Sequence, residues 1–378
     1  MNSMKEKFFR WIVILLIAAI AFGNRSFASQ RLPIGIDEPV YLNSSLAYAR
    51  FLRNMDWKDV AWYDQNSEHP ALAKLVYGFA LLPITPIDSI QHKDMVNDSP
   101  IQESEAKDWI LWVRSISVML GTISCVFLAT INPAAGLLMA IQTSAVRYTS
   151  LIGLESLPLL SSLLSVLAYE QWINQQEYKP INKNWGWLAL SSIMLGLTAA
   201  AKYVYCIAGI AVLIHLILHA YQKRWSARSA LIIILLWGTV AFVTFFVTNP
   251  YLWPNPINRL IFSATYHFNF AASEHVTRYQ YPFWQFLVYI ISRSGNQSWY
   301  WISIDAPIFL LALLGLYRLR KRPLYMIWLA SALLFLMTWQ TRWEQYVLIM
   351  MAPYCLSAGE GLAFLREQLK TRVKRSKL

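Results

Sequence analysis

Two adjacent carboxylates, Asp37 and Glu38, sit in the stretch IGIDEPVYLNSS (34–45), just beyond an apolar run, with Pro39 and Tyr41 close behind. A carboxylate held near a reacting centre can accept a proton, whereas the same pair in a solvated turn does nothing chemical. Which of these applies depends on what else is brought to the same place. Far along the chain, Lys202 stands alone in an uncharged interval between Lys183 and Lys223, and Glu155 opens another such interval. A charge at membrane depth costs roughly 2.5–3.5 kcal/mol on insertion scales, so it is normally paired or used.

The elements that must carry these residues are membrane helices. The chain of 378 residues is 56% hydrophobic and only 14% charged, against about a quarter charged for a soluble domain. Its charges are clustered, leaving free intervals such as Arg114 to Arg147, Arg228 to Arg259 and Glu344 to Glu360. One helical span needs about 20 mostly apolar residues. Strand alternation of the barrel type is absent, so the expected fold class is all-α, polytopic. Ten spans are predicted, near 8–23, 109–129, 133–149, 155–171, 185–201, 203–220, 229–248, 300–318, 323–340 and 344–363.

Basic residues set the sides. Lys5, Lys7 and Arg10, the loops YQKRWSAR (221–228) and YRLRKRP (317–323), and the tail REQLKTRVKRSKL (366–378) all read as cytoplasmic. Both termini are then cytoplasmic, in a bacterial plasma or inner membrane or an ER-type membrane. The formal net charge of +12 is spent at span ends, where it meets anionic lipid, so nucleic acid is not a predicted partner. A single membrane domain is expected over 1–378, with outer loops at 24–108 and 249–299. The first loop has eight Lys and Arg against twelve Asp and Glu. Within it, HPALAKLVYGFALLPITP (69–86) is apolar enough to span, but the parity of the basic loops predicts a helix lying at the interface.

The N-terminus also has a signal-peptide pattern, with Ser26-Phe27-Ala28 as a cleavage site; a retained first span is the preferred reading. Cys125, Cys206 and Cys355 lie in apolar runs without CxxC spacing and read as small buried hydrophobes. Asn43, Asn97 and Asn296 begin Asn-x-Ser sequons on the predicted outer side.

This topology gathers Asp37, Glu38, His69, Arg147, Glu155, Lys202, Arg259, Asp305 and Arg342 on the outer face, with Tyr346 beside Arg342. Each has a plain structural alternative: a snorkelling lysine at a turn, a helix-start acid favoured by the macrodipole, an interfacial Arg–Tyr anchor. Together, and in this order, they resemble a family. DEPVYLNSSLAYARF resembles the acidic-pair motif of the C-type glycosyltransferases (GT-C). EHPALAKLVYGF is similar to the His-Pro-Pro-Leu stretch of the protein O-mannosyltransferase branch, with Ala71 for the second proline and Lys74 following. VRYTSLIGLESLPLL resembles the second-loop motif, with Glu155 as its acid. GLTAAAKYVY resembles the Gly-Leu…Thr-Lys-Tyr segment, with Ala201 for threonine. NPYLWP and QYVLIMMAP fit later positions more loosely.

The resemblance implies transfer of a sugar from a polyprenyl-phosphate carrier, with inversion, to an acceptor at the outer face. It implies Asp37 as base and Glu38 as its orienting or acceptor-binding neighbour. An aspartate of ordinary pKa, about 3.9, suffices for late proton transfer at an oxocarbenium-like centre. Lys202, Arg147 and Arg342 become candidates to stabilise the departing phosphate, with His69, Glu155 and Tyr346 completing the donor site. No cofactor is required. A divalent ion shared by Asp37 and Glu155 is the less favoured arrangement, and His267, Glu274 and His275 lack HExxH spacing and read as loop residues. The acceptor, whether glycan, lipid or protein, stays open. So does a different class of function, a transporter or flippase whose intramembrane charges line a path, and so does a binding protein that kept the fold without catalysis.

Overall fold

A computed structural model describes residues 2–84, 99–176, 184–295, 300 and 302–375. Asn97 and Asn296, the acids Asp88, Asp94 and Asp98, and the end of the 69–86 segment lie outside the described residues. The described chain is helical throughout, with no strand among the described residues.

The bundle is built from α1 (Asn2–Arg31), α5 (Lys107–Ile131), α6 (Pro133–Ile141), α7 (Thr143–Tyr148), α8 (Ser156–Ile173), α9 (Trp185–Ala201), α10 (Ile207–Gln222), α11 (Ala227–Val247), α15 (Asp305–Leu319), α16 (Pro323–Thr338) and α17 (Met351–Arg375). One end carries α2 (Glu38–Arg53), α3 (Trp57–Trp62), α4 (Leu72–Leu81), α12 (Pro256–Ala272), α13 (Glu274–Thr277) and α14 (Gln285–Ile291). Every predicted span falls on helix. Five stretches are by themselves long and apolar enough to cross a membrane: Phe8–Arg31, Lys107–Ile131, Tyr203–Gln222, Ala227–Val247 and Glu344–Val373. On α11, Leu231, Leu235, Leu236, Phe242 and Val243 point outward, as a lipid-facing helix requires. The molecule is an all-α polytopic membrane protein.

Polar and small residues pack the helices where no hydrophobic drive exists between them. Ser161 meets Thr198 at 2.8 Å, and Ser165 donates to the Ser191 carbonyl at 2.8 Å. Gly315 of α15 and Gly361 of α17 lie so close that a Cβ on either would overlap the other helix's backbone.

Two expectations change, and a third element is shorter than expected. The first outer loop was placed from residue 24, but α1 continues to Arg31. Its polar turn stays helical because Asn24 and Arg25 are buried and occupied. Arg25 donates to Thr149 Oγ1 at 2.8 Å and to the carbonyls of Met139 and Ala140; Asn24 also reaches the Ala140 carbonyl. Second, the predicted single span 133–149 is two short helices. Gln142 is extended and turns its side chain back to the Ala145 N–H. Both raw ends of the break are satisfied: Arg25 lies at the carbonyl end of α6, and the Asp305 carboxylate accepts the Thr143 N–H at 2.9 Å and its hydroxyl at 2.8 Å. Cation at the C-terminus and anion at the N-terminus match the helix dipoles. Asp305, expected at the outer face, is thus a buried cap of α7. Within 69–86, where a helix lying at the interface is expected, the described helix is Leu72–Leu81, ten residues, about 15 Å long, half of a hydrocarbon core of about 30 Å. It packs on α2 rather than crossing.

The opposite end of the bundle carries Arg318 paired with Glu360 and Glu367, and Arg322 paired with Glu170. We read that end as cytoplasmic, and labelling tests it. In a Cys206→Ser background, Gln65→Cys is expected to react with an impermeant maleimide in intact cells, and Lys321→Cys only after permeabilisation. The reverse pattern inverts the assignment.

Candidate functional site

α1 ends at Arg31, and residues 32–37 turn the chain into α2, whose start is fixed by Pro39 in its first turn. Glu38 is 2% exposed and its carboxylate is saturated. It accepts Arg114 Nε at 2.8 Å, Arg114 Nη2, the Gly35 N–H at 2.7 Å and the Ile152 N–H at 2.7 Å. Arg114, wholly buried in α5, also donates to the carbonyls of Ser29, Leu32 and Pro33. Acceptor binding by Glu38 is therefore closed by geometry. The residue ties together the end of α1, the start of α2, α5 and the 149–155 loop, and so fixes its neighbour.

That neighbour, Asp37, remains solvent-accessible. Crowding by protein, then the nearby Glu155 charge, raises its carboxyl above the ordinary aspartate range, with Lys202 pulling the other way. A raised pKa makes the ionised form a better base.

Glu155 precedes the first turn of α8, and Lys202 ends α9; both are 5% exposed and form a buried ion pair. Gly153 makes room for it, since a Cβ there would lie 2.6 Å from Glu155 Oε2. Lys202 Nζ also sits 5.1 Å from the Tyr346 ring centre. Tyr346 comes from the 3-10 turn 344–350 that leads into α17.

Lys202, Tyr346 and His69 line one cavity of about 350 Å³. Its remaining walls are mainly apolar: Val204, Ile207 and Ile210, Leu260 and Phe268 of α12, and Phe335 and Trp339 near the end of α16. Polar groups thus gather against a long greasy wall. His69 packs 5.2 Å from His267, and Tyr41, one turn after Asp37, lies 6.3 Å from His69. Burial first, then Lys202, pushes His69 well below the usual imidazole range, so it is neutral at pH 7. His267, which spacing left as a loop residue, is on α12 and lines the same cavity. The sequence signal missed was helical: Ser263, Ala264 and His267 share a face.

Lys74 is buried under this loop, donating to the carbonyls of Asn66 and His69 at 2.6 and 3.2 Å. Burial brings its ammonium down to about 7. Asn249 Oδ1 accepts the Ala71 N–H at 3.1 Å, joining the NPYLWP and HPALAK segments.

Other predicted residues lie elsewhere. Arg147 binds Glu344 at 3.2 Å, a carboxylate that also takes Tyr148 and Ser144 hydroxyls. Arg342 donates to the Tyr281 carbonyl at 2.7 Å and borders a small niche beside Trp343 and Tyr346. Arg259 serves the carbonyls of Ala61 and Tyr251. All three brace segments at this end of the bundle, and none lines the cavity.

Glu155 already carries the Lys202 ammonium, which repels a second cation, and among the described residues no three His, Cys, Asp or Glu side chains converge.

By sequence, the chain matches no protein-family model and no curated protein. By structure, it is similar to ArnT from Cupriavidus metallidurans bound to undecaprenyl phosphate, at 15% identity and a TM-score of 0.57, over 93% of this chain and 60% of that one. It is also similar to the archaeal oligosaccharyltransferase AglB from Archaeoglobus fulgidus, in complex with an inhibitory peptide and a dolichol-phosphate. That likeness has 10% identity and a TM-score of 0.51, over 99% of this chain and 52% of that one. The chain thus spans between half and two thirds of the length of these structures, and it has the fold of the C-type glycosyltransferases.

Proposed function

We propose that the protein is a glycosyltransferase that moves a sugar from a polyprenyl-phosphate carrier to an acceptor nucleophile at the outer membrane face, with inversion. The observation that carries this reading is the cavity in which Lys202 meets an apolar wall, with the accessible Asp37 carboxylate in electrostatic reach. An isoprenoid phosphate has that pair of properties, a long apolar tail and an anionic head. The likeness to structures bound to undecaprenyl phosphate and to a dolichol-phosphate supports the same choice.

In the step, Asp37 takes the acceptor's proton as the acceptor oxygen forms its bond to the anomeric carbon. The bond from that carbon to the phosphate oxygen breaks, and the carrier leaves as polyprenyl phosphate. Lys202, with two N–H groups beyond the one on Glu155, stabilises the charge gathering on that oxygen in a low-dielectric site. Tyr346 holds the ammonium by its ring face, and the neutral His69 offers a hydrogen-bonding group without adding charge. Arg114 and Glu38 position the base.

Binding of undecaprenyl phosphate, read as a thermal shift of the purified protein, tests this directly. The wild type is expected to be stabilised by the lipid phosphate and not by undecaprenol. Lys202→Met is expected to weaken that binding at least tenfold, about 1.4 kcal/mol, as the loss of one buried charge-assisted contact demands. Equal affinity in the variant removes Lys202 from the phosphate site. Solute flux in liposomes without any glycosyl product would assign the cavity to transport instead.

A further inference from the structure

Beyond the cavity, aromatic rings continue outward in an unbroken row. It starts at Tyr41 and His69, beside the proposed base, and passes to His267. Along α12 it runs through Tyr266 to Phe270, whose rings are stacked at 6.1 Å and 6°. Phe270 meets His275 at 5.6 Å, and His275 lies 6.5 Å from Tyr279. Tyr279 stacks on Tyr281 at 5.3 Å, both edge-on to Trp343. Tyr266 is 39% exposed and Tyr279 is 42% exposed, so the middle and far end of the row present ring surface to solvent, while Tyr41 at its inner end is buried.

A membrane-interface belt would also gather Tyr and Trp, but the helix geometry speaks against it. On α12 the apolar stripe is Ile257, Leu260, Ile261, Ala264 and Phe268. Arg259, Ser263, Tyr266 and Phe270 fall on the opposite side at helical spacing, and that side is anchored to protein. Arg259 donates to the Ala61 carbonyl, and Ser263 to that of Ser67. Tyr266 and Phe270 thus lie on the side turned away from the stripe, while His267 borders the cavity that the stripe residues Leu260, Ala264 and Phe268 also line.

We propose that this row is the acceptor subsite and that the acceptor is a neutral carbohydrate chain; the inference rests on the glycosyltransferase reading above. A sugar ring has an apolar C–H face suited to an aromatic face and hydroxyls around its rim. The row supplies both, with successive ring centres 5.1–6.5 Å apart and phenol and imidazole edges between them. Mutual stacked, tilted and edge contacts fix the rings, so little ordering is lost on binding. The fixed charges alongside balance in sign: Asp37, Glu68 and Glu274 against Lys202, Arg278 and Arg342, with Arg278 donating to the Tyr279 hydroxyl at 3.1 Å and Arg342 to the Tyr281 carbonyl at 2.7 Å. That favours an uncharged chain over a phosphorylated or acidic one. Because the row ends beside Asp37, a chain lying along it delivers its terminal hydroxyl to the base.

Saturation-transfer NMR on the full-length protein in nanodiscs, with a pool of neutral glucose, mannose and arabinose hexasaccharides, tests the assignment. Transfer to at least one hexasaccharide is expected. Tyr279→Ala should weaken it about tenfold, about 1.4 kcal/mol, and Tyr279→Phe less than about twofold. Absence of transfer in the wild type, or equal transfer in Tyr279→Ala, overturns the proposal, as does preferential binding of peptides to the row. Undecaprenyl phosphate binding to the same samples separates the two readings. Lipid binding without saccharide binding removes the acceptor subsite alone, whereas loss of both removes the transferase reading as well.

Discussion

Asp37→Asn is expected to abolish sugar transfer while the protein still folds, inserts and binds undecaprenyl phosphate. The substitution preserves shape and removes only the proton acceptor, and general-base contributions are worth about 10²–10⁴ in rate. The surrounding charges make a second, sharper prediction. A base works ionised, so the rate falls as pH drops through its pKa, and crowding by protein places that pKa above the ordinary carboxylate range. The acid limb of the pH–rate profile is therefore expected above pH ~4, the value set by an unperturbed aspartate. Glu155 raises this pKa and Lys202 lowers it. Glu155→Gln should then move the limb to lower pH, and Lys202→Met to higher pH. Steady-state profiles of kcat with a polyprenyl-phosphate sugar measure both. An Asp37→Asn enzyme of undiminished rate, or limbs that move the same way in both variants, would remove Asp37 as base.

The parts of this site that were legible in the sequence were those whose cost is local. Lys202 stands out because an isolated ammonium in an apolar run is expensive wherever the run folds, and Glu155 because it opens such a run. Span positions follow from the same economy of charge, so every predicted span meets a helix. What stayed hidden depends on distant partners. Glu38 and Arg114 are 76 positions apart, and nothing near either shows that one is saturated by the other, so Glu38 looked as available as Asp37. The break between α6 and α7 lies inside an uncharged run, at Gln142-Thr143-Ser144, and one of its caps, Asp305, is 162 positions away. His267 was hidden by period, because it belongs to a helical face and not to a metal-ligand spacing.

Glu38 and Arg114 carry the other large effect, and it separates structure from chemistry. Their ion pair is fully buried, and removing one partner of such a pair costs about 3–5 kcal/mol because the survivor is left charged and unpaired. Glu38→Gln retains acceptor capacity for one or two of its donors, whereas Arg114→Met deprives the Glu38 carboxylate of its cation and also abandons the carbonyls of Ser29, Leu32 and Pro33 at the end of α1. Arg114→Met is therefore expected to be the more damaging, with a lower midpoint of thermal inactivation and reduced membrane yield. The double variant Glu38→Gln/Arg114→Met should recover part of the loss, since no buried charge remains. Activity should fall in each variant that folds, because Asp37 is aimed by the turn that this pair holds, and a misplacement of about 1 Å costs roughly 10²-fold. The rate loss would then come with loss of stability, unlike that of Asp37→Asn. A Glu38→Gln protein with native thermal stability and no activity would instead put Glu38 in the chemistry, and the buried geometry would have to open during turnover.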